Sequence, residues 1–218
     1  MELESVVVVA GGQSSPGRVV ALPERAYVIA ADSGIDRALA LGLRIDLAIG
    51  DFDSVSPAGL AEAEASGAVI ARHPPEKDAT DLELALDAAI ALGPSRILVI
   101  GSACGRLDHL LGSILLLGDA RYASATVDAC LDDNRLWVIR GERTLEGTPG
   151  EIVSLLPVHG PAEGVTTSGL EYPLRDESLP AGTSRGVSNV FAAVEAHVSV
   201  ERGCLIAVRP GPEREEPA

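Results

Sequence analysis

Short apolar runs alternate with helical segments over the first part of the chain. The runs are rich in Val, Ile and Ala and predict six strands, at 5–10, 27–31, 46–49, 68–71, 96–100 and 125–131. Between them, apolar residues recur every three or four positions, as at Leu82, Leu86 and Ala89, and predict helices. Ser56 followed by Pro57 is typical of a helix start. Strands that alternate with helices indicate a parallel α/β sheet.

After about residue 133 the helical periodicity disappears. Strand-like runs remain at 136–140, 152–157, 164–168, 190–200 and 204–208, separated by Gly, Pro and Thr at hairpin-like intervals. The predicted fold class is α/β, with an N-terminal parallel-sheet Rossmann-like domain at 1–132 followed by a smaller all-β sandwich domain at 133–218. The acidic end, 212–218, is predicted to be a disordered tail.

Charge and composition exclude several classes of function. The net charge of −15 would repel nucleic acid and anionic membranes. No run approaches the roughly 18 consecutive apolar residues of a membrane span, and the acidic start at 1–4 does not resemble a signal peptide. The three cysteines, Cys104, Cys130 and Cys204, lack paired metal-ligand spacing and favour a reducing compartment. We therefore expect a cytoplasmic protein with small-molecule partners.

The strongest chemical signal is a pair of carboxylates, Asp51 and Asp53, directly after the apolar run 47–49. Carboxylates this close repel each other and resist ionisation unless a cation neutralises them. Mg²⁺ takes oxygen ligands and is commonly bound together with nucleotide phosphates. The pair therefore indicates a metal-dependent enzyme acting on phosphate compounds, although a turn stabilised by side-chain bonds to backbone amides would use similar residues.

Further polar residues follow the neighbouring predicted strands. Asp32 follows the second strand, the segment 77–81 the fourth, and the segment 101–109 the fifth. Ligands of open parallel sheets bind beyond the carboxyl ends of the strands, so we expect these side chains to converge on one edge. Gly101 and Gly105 would let the backbone approach a phosphate closely.

Structural roles compete with these functional ones. Asp32 could be only the N-cap of the next helix, and either Asp78 or Thr80 could cap the helix after it. Arg106 and Asp108 could form a surface ion pair.

Together these motifs resemble the thiamine pyrophosphokinase family. The matching stretches are Ala-Asp-Ser-Gly at 31–34, Gly-Asp-Phe-Asp-Ser at 50–54, Lys-Asp-Ala-Thr-Asp at 77–81, Gly-Arg-Leu-Asp-His at 105–109 and Gly-Val-Ser-Asn at 186–189. The resemblance implies an α/β ATP-binding catalytic domain joined to a thiamine-binding β-sandwich, typically in a homodimer. It also implies transfer of the pyrophosphoryl group of ATP to the hydroxyl of thiamine, giving thiamine diphosphate and AMP, with Mg²⁺ as cofactor.

The resemblance extends to individual residues. Mg²⁺ would be bound by Asp51, Asp53 and Asp81. The catalytic residues would be Asp32, Asp78 and Arg106, with Asp32 either a further metal ligand or the group that orients the attacking hydroxyl. The nucleotide would contact Lys77, Thr80, Gly101, Ser102, Gly105, Arg106, Asp108 and His109. Thiamine would contact Ser188 and Asn189 at a site between two subunits, although Ser188 could equally be a β-turn hydroxyl.

Two other functions stay open at this point. The phosphate machinery does not identify the acceptor, so a pterin pyrophosphokinase of similar architecture is an alternative, as is a non-catalytic sensor of nucleotide or thiamine. The chain also departs from the family at 32–36, where Asp-Ser-Gly-Ile-Asp replaces the usual Asp-Gly-Gly-Ala-Asn. Ser33 and Asp36 therefore alter the loop beside the expected phosphates. Trp137, in an apolar run, is expected to fill the core rather than to stack on thiamine.

Overall fold

The structure is a computed structural model that describes residues 3–12 and 22–212. It divides into two compact units, one formed by Met1–Leu116 with Arg121–Asp132 and the other by Leu117–Ala120 with Asp133–Ala218. Residues 213–218 of the predicted tail lie outside the described part. None of the helices in that part is long and apolar enough to cross a membrane.

The described part of the first unit contains six parallel strands. They are β1 (Ser5–Ala10), β2 (Ala26–Ala31), β3 (Leu47–Gly50), β4 (Val69–Arg72), β5 (Arg96–Gly101) and β6 (Thr126–Leu131). Their order is β6-β5-β1-β2-β3-β4, and each neighbouring pair is parallel. Each strand agrees with its predicted range to within one residue at either end, because a continuous apolar run is a strong signal of a buried parallel strand.

Four helices connect these strands: α1 (Gly34–Ala40), α2 (Pro57–Ala65), α3 (Asp81–Ala91) and α4 (Leu107–Leu117). The predicted start of α2 is confirmed, since the Ser56 hydroxyl accepts a bond from the backbone N–H of Gly59 at 3.0 Å. α3 buries Leu82, Leu86 and Ala89, the series that predicted it. After β4 the chain crosses back to the other side of β1, so the strand order reverses between β1 and β5. Ligands commonly bind at such a reversal in open α/β sheets.

The second unit is built from antiparallel strands. They are β7 (Asn134–Ile139), β8 (Glu142–Glu146), β9 (Ile152–Pro157), β10 (Ala162–Ser168), β11 (Glu177–Leu179), β12 (Asn189–Val190), β13 (Glu195–Ser199) and β14 (Leu205–Arg209). They form two groups, ordered β12-β9-β14-β7 and β11-β10-β13-β8. Both groups contribute to one core, which includes Leu155 of β9 and Val198 of β13. Trp137 lies in this core, as expected.

The strand predicted at 190–200 is wrong. The segment forms two strands that belong to different groups: β12 pairs with β9, whereas β13 pairs with β8 and β10. Phe191, between them, is fully buried, and the ring lies where a side chain on Gly147 would collide with it. A large apolar side chain thus fills the corner at which the chain passes from one sheet of the sandwich to the other.

Candidate active site

Three carboxylates meet at the carboxyl ends of β2 and β3. Asp32 directly follows β2, and Asp51 and Asp53 follow β3. Each residue offers one carboxylate oxygen, and these oxygens lie within 4.8 Å of one another. β2 and β3 are parallel neighbours, with Ala31 opposite Ile49, so their ends reach the same edge. The convergence predicted for these three residues is present.

The backbone around this cluster has an unusual conformation. Asp32 has φ 47 and Phe52 has φ 62, in the left-handed region that residues with a Cβ seldom adopt. Gly50 lies between the carboxylates, where an added Cβ would approach Oδ1 of Asp81 to 3.1 Å and Cβ of Asp32 to 3.2 Å. Glycine at this position therefore lets the three segments approach one another, and backbone strain of this kind concentrates at functional sites.

Lys77, the only lysine in the sequence, joins this cluster to α3. Its Nζ lies 2.9 Å from Oδ2 of Asp51 and 3.1 Å from Oδ1 of Asp81, the first residue of α3. The bond from Lys77 holds the pKa of Asp51 below its ordinary value. Burial opposes the charge on Lys77, but its bonds to the two carboxylates outweigh that effect and raise its pKa. All five residues, including Asp53 and Asp32, therefore belong to one electrostatic network.

Asp32 is the buried member of the cluster. It is 8% exposed, and burial is the main reason that its pKa is raised, helped by the charges of Asp81 and Asp53. Backbone bonds from Ser33 and Ser54 act in the opposite direction. Its Oδ1 is buried without a hydrogen-bond partner. A buried carboxylate oxygen without a hydrogen-bond partner is suited to bind a cation, because the cation would supply the missing partner.

Sequence reasoning missed a second polar network, at the ends of β1 and β5. The buried guanidinium of Arg37 donates to the carbonyls of Gly101 (3.1 Å) and Gly12 (3.4 Å). It also lies 3.9 Å from Asp132, whose carboxylate accepts a bond from the Ser102 hydroxyl at 3.2 Å. The arginine thus ties together the two strand ends where the sheet order reverses. Two of the partners of Arg37 are backbone carbonyls that are distant in the sequence, and such partners have no sequence motif.

The predicted residues that follow β5 lie apart from the carboxylates. Arg106 and Asp108 form an ion pair with side chains 72% and 63% exposed. This is the surface ion pair considered above as the structural alternative for these two residues. The bond from Arg106 lowers the pKa of Asp108 to about 2. β1 and β2 lie between β5 and β3, so the loop after β5 begins roughly 14 Å from the end of β3 at ordinary strand spacing. His109, in the first turn of α4, is exposed.

Thr80 and Asp78 occupy the approach to α3. The Thr80 hydroxyl accepts a bond from the backbone N–H of Glu83 at 3.2 Å and so caps the helix. Asp78 is exposed. Of the two residues considered for the cap, Thr80 therefore fills that role, which leaves Asp81 in the first helical turn facing Lys77.

In the second unit, Ser188 and Asn189 have different surroundings. Ser188 is exposed and has φ 58, and its N–H donates to the Ser154 hydroxyl at 3.1 Å. Asn189 is 5% exposed, and its amide pairs with the backbone of Tyr172, accepting at 3.1 Å and donating at 2.7 Å. The Asn189 amide therefore stabilises the local backbone, whereas Ser188 is an exposed residue.

Comparison with known proteins assigns both units. The model of the thiamin pyrophosphokinase catalytic domain matches residues 21–128, and that of the thiamin pyrophosphokinase vitamin B1 binding domain matches residues 139–205. The chain belongs to the thiamine pyrophosphokinase family. This confirms the resemblance drawn from the motifs.

Individual members of the thiamine pyrophosphokinase family are similar over nearly their whole length. The thiamine pyrophosphokinase of Bacillus subtilis (strain 168) is 28% identical over 211 residues, covering 95% of this chain and 99% of that protein. The crystal structure of thiamine pyrophosphokinase from Bacillus subtilis has a TM-score of 0.84 at 26% identity and covers 96% of this chain and 100% of that one. That of thiamin pyrophosphokinase from Geobacillus thermodenitrificans has a TM-score of 0.80 at 28% identity, with 95% and 98% covered.

The departures from the usual thiamine pyrophosphokinase motif at 32–36 have local explanations. The carboxylate of Asp36 accepts bonds from the Ser56 N–H at 2.8 Å and from its hydroxyl at 2.5 Å. Asp36 is therefore committed to the start of α2. Ile35 is fully buried in the core, and the Ser33 hydroxyl lies against Gly11, where an added Cβ would collide with it. Asp36 thus contacts the start of α2, and Ser33 lies at the junction of β1 and α1.

Proposed function

We propose that this protein transfers the pyrophosphoryl group of ATP to the hydroxyl of thiamine, giving thiamine diphosphate and AMP. The observation that carries the proposal is the network of Asp32, Asp51, Asp53, Lys77 and Asp81, which lies within the segment matched by the catalytic-domain model. The match of the second unit to a vitamin B1 binding domain supports thiamine as the acceptor. The family match does not favour a pterin kinase or a sensor.

The residues present fit Mg²⁺. Their donors are carboxylate oxygens, which Mg²⁺ prefers, and the partnerless Oδ1 of Asp32 would gain a ligand. We propose Asp51, Asp53 and Asp81 as ligands, with Asp32 as a further ligand. Asp81 Oδ1 lies 3.1 Å from the Lys77 ammonium, and a bound ion would replace that contact. When bound, Mg²⁺ would offset charge on the triphosphate oxygens.

The chain's own residues would position the reactants. In the proposed reaction the thiamine hydroxyl oxygen bonds to the β-phosphorus and its proton passes to water. The bond from that phosphorus to the oxygen bridging to the α-phosphorus breaks, and AMP leaves. Lys77 would offset phosphate charge. Arg106, on its exposed loop, would exchange Asp108 for a phosphate and could bind it with two parallel bonds. The strand ends held by Arg37 would place the backbone of Gly101 and Ser102 towards the nucleotide.

Other features of the account are proposals of the same kind. We infer a Rossmann-like nucleotide-binding domain at 1–132, in line with the parallel strand order of the first unit, and a thiamine-binding domain at 133–218. Ser188 is proposed to contact thiamine through its exposed hydroxyl, with Asn189 holding the adjoining backbone. We also propose nucleotide contacts of Thr80, Gly105 and His109 and a catalytic role for Asp78. The protein is further proposed to be a cytoplasmic homodimer that binds thiamine between its subunits. Light scattering would test the dimer.

Incubation of the protein with ATP, Mg²⁺ and an acceptor tests the activity. The proposal predicts equimolar AMP and thiamine diphosphate with thiamine, and no AMP with a hydroxymethylpterin. Stoichiometric AMP with the pterin would favour the pterin kinase. ATP binding without AMP release under all conditions would favour the sensor.

A further inference from the structure

We propose that Arg72 is a positioning residue that fixes the loop carrying Asp51 and Asp53 in the conformation that binds a divalent cation. The inference deepens the proposed function and rests on it. Arg72 is the last residue of β4, and the register of the sheet places it opposite Gly50, the last residue of β3. It therefore stands beside the loop that bears the two carboxylates.

Two contacts join Arg72 to this loop. Its guanidinium donates to the backbone carbonyl of Asp51 at 2.9 Å, and its central carbon lies 4.8 Å from the centroid of the Phe52 ring. An arginine can use both contacts at once, because its planar group stacks on a ring while its N–H groups donate at the edge. The carboxylate of Asp51 is bonded instead by Lys77. One cation thus holds the side chain and the other holds the backbone.

The loop needs such support because of Phe52. Its φ of 62 is unfavourable for a residue with a Cβ, while the residue is 9% exposed and packs in the core of the first unit. Since Phe52 separates Asp51 from Asp53, its backbone angles set the separation and orientation of the two carboxylates. A residue that stabilises this conformation therefore sets the geometry available to a metal ion.

Electrostatics alone predicts the opposite effect of removing Arg72. Arg72 carries a positive charge beside a cluster of carboxylates, so losing it should strengthen cation binding by Coulomb's law. Losing a positioning contact should weaken cation binding, because the carboxylates would no longer be held in place. The sign of the change therefore separates the two roles.

The test compares Arg72→Met with Arg72→Lys and with Arg44→Met. Met keeps an apolar stem without charge, and Lys keeps the charge without the planar group. Arg44 is exposed and precedes β3 at its other end, so its substitution removes the same charge away from the loop. Mn²⁺ affinity is measured by electron paramagnetic resonance with an ATP analogue that carries a methylene bridge between the α- and β-phosphorus atoms. Melting temperature, AMP release and amide hydrogen exchange at 51–54 are measured on the same proteins.

We expect Arg72→Met to weaken Mn²⁺ binding about tenfold, equal to about 1.4 kcal/mol, and to speed amide exchange at 51–54 without lowering the melting temperature. Its kcat should fall while its KM for thiamine stays unchanged. Arg72→Lys should lie between wild type and Arg72→Met, and Arg44→Met should match wild type. Unchanged or tighter Mn²⁺ binding by Arg72→Met overturns the inference, as does a lower melting temperature with Mn²⁺ affinity retained. If the wild type neither binds Mn²⁺ nor releases AMP, the proposed function fails first and the inference falls with it.

Discussion

Replacing Asp32 with Asn should make the protein more stable and inactive at the same time. Asp32 adopts φ 47, a conformation that Asn tolerates as well as Asp. The substitution therefore keeps the backbone and the side-chain shape, removes one buried negative charge and adds an N–H₂ donor facing other carboxylates. A group retained at the cost of stability is expected where function requires it.

The magnitude follows from burial and bonding. Oδ1 of Asp32 is buried without a partner, and such an atom costs about 1–3 kcal/mol. Relief of part of that cost should raise the free energy of unfolding by about 1–2 kcal/mol, or the melting temperature by about 2–8 °C for a chain of this size. Mg²⁺ with a nucleotide should reverse the order, because ligand at 100 times its Kd stabilises the wild type by about 2.7 kcal/mol.

The gain depends on pH in a defined direction. Burial raises the folded-state pKa of Asp32 above its ordinary value of 3.8. The stability that the wild type owes to this group is complete below 3.8 and is lost as the pH rises through the folded-state pKa. The advantage of Asp32→Asn should therefore be present at neutral pH and disappear as the pH falls towards 3.8.

Calorimetric melting with and without Mg²⁺ and the methylene analogue, together with AMP release, measures both effects. AMP release should fall at least about 100-fold. Asp78→Asn removes the same charge from an exposed position and should change stability by less than about 0.5 kcal/mol. A lower melting temperature for Asp32→Asn at neutral pH, or AMP release near the wild-type rate, would refute the reasoning.

Four further substitutions test separate parts of the account. Lys77→Gln should lower the free energy of unfolding by about 1–3 kcal/mol, measured with urea, since carboxylates would face each other unpaired. Lys77 lowers the pKa of Asp51, so this loss of stability should be present above pH 3.8 and vanish at lower pH. A loss that does not depend on pH would contradict this reasoning. Arg106→Ala should raise the KM for ATP with no change in melting temperature, because its side chain is 72% exposed; an unchanged KM would remove it from the nucleotide site. Ser188→Ala should raise the KM for thiamine more than that for ATP, and equal effects on both would contradict its placement. Asn189→Ala should cost about 1–2 kcal/mol of stability, because it removes two part-buried bonds to the Tyr172 backbone. An Asn189→Ala variant as stable as the wild type would contradict that role.

The parallel strands and the carboxylate cluster were predictable because each depends on a local pattern. A strand buried on both faces needs a continuous apolar run, and parallel strands place their carboxyl ends on one edge. The sandwich was harder to predict. β8 buries only Leu145, and β11 is three residues long, so neither presents a clear apolar run. The corner at Phe191 depends on which sheet each flanking strand joins, which is a property of the tertiary structure.

The arginines of the first unit show the same limit at the site. Arg37 and Arg72 bind the backbone carbonyls of Gly101 and Asp51, which lie 64 and 21 residues away in the sequence. Backbone carbonyls carry no sequence signature, so neither partner could be inferred from the chain. By contrast, Lys77 and Asp81 stand in one sequence motif, and the predicted strand order placed that motif at the same edge of the sheet as Asp51.

Diffraction from crystals grown with Mn²⁺ and the methylene ATP analogue, measured at the manganese absorption edge, tests the central claim most directly. The account predicts an anomalous peak roughly 2 Å from carboxylate oxygens of Asp51 and Asp53 and in contact with a phosphate oxygen. A peak bound elsewhere, or a nucleotide bound with the carboxylates facing only Lys77, would contradict it.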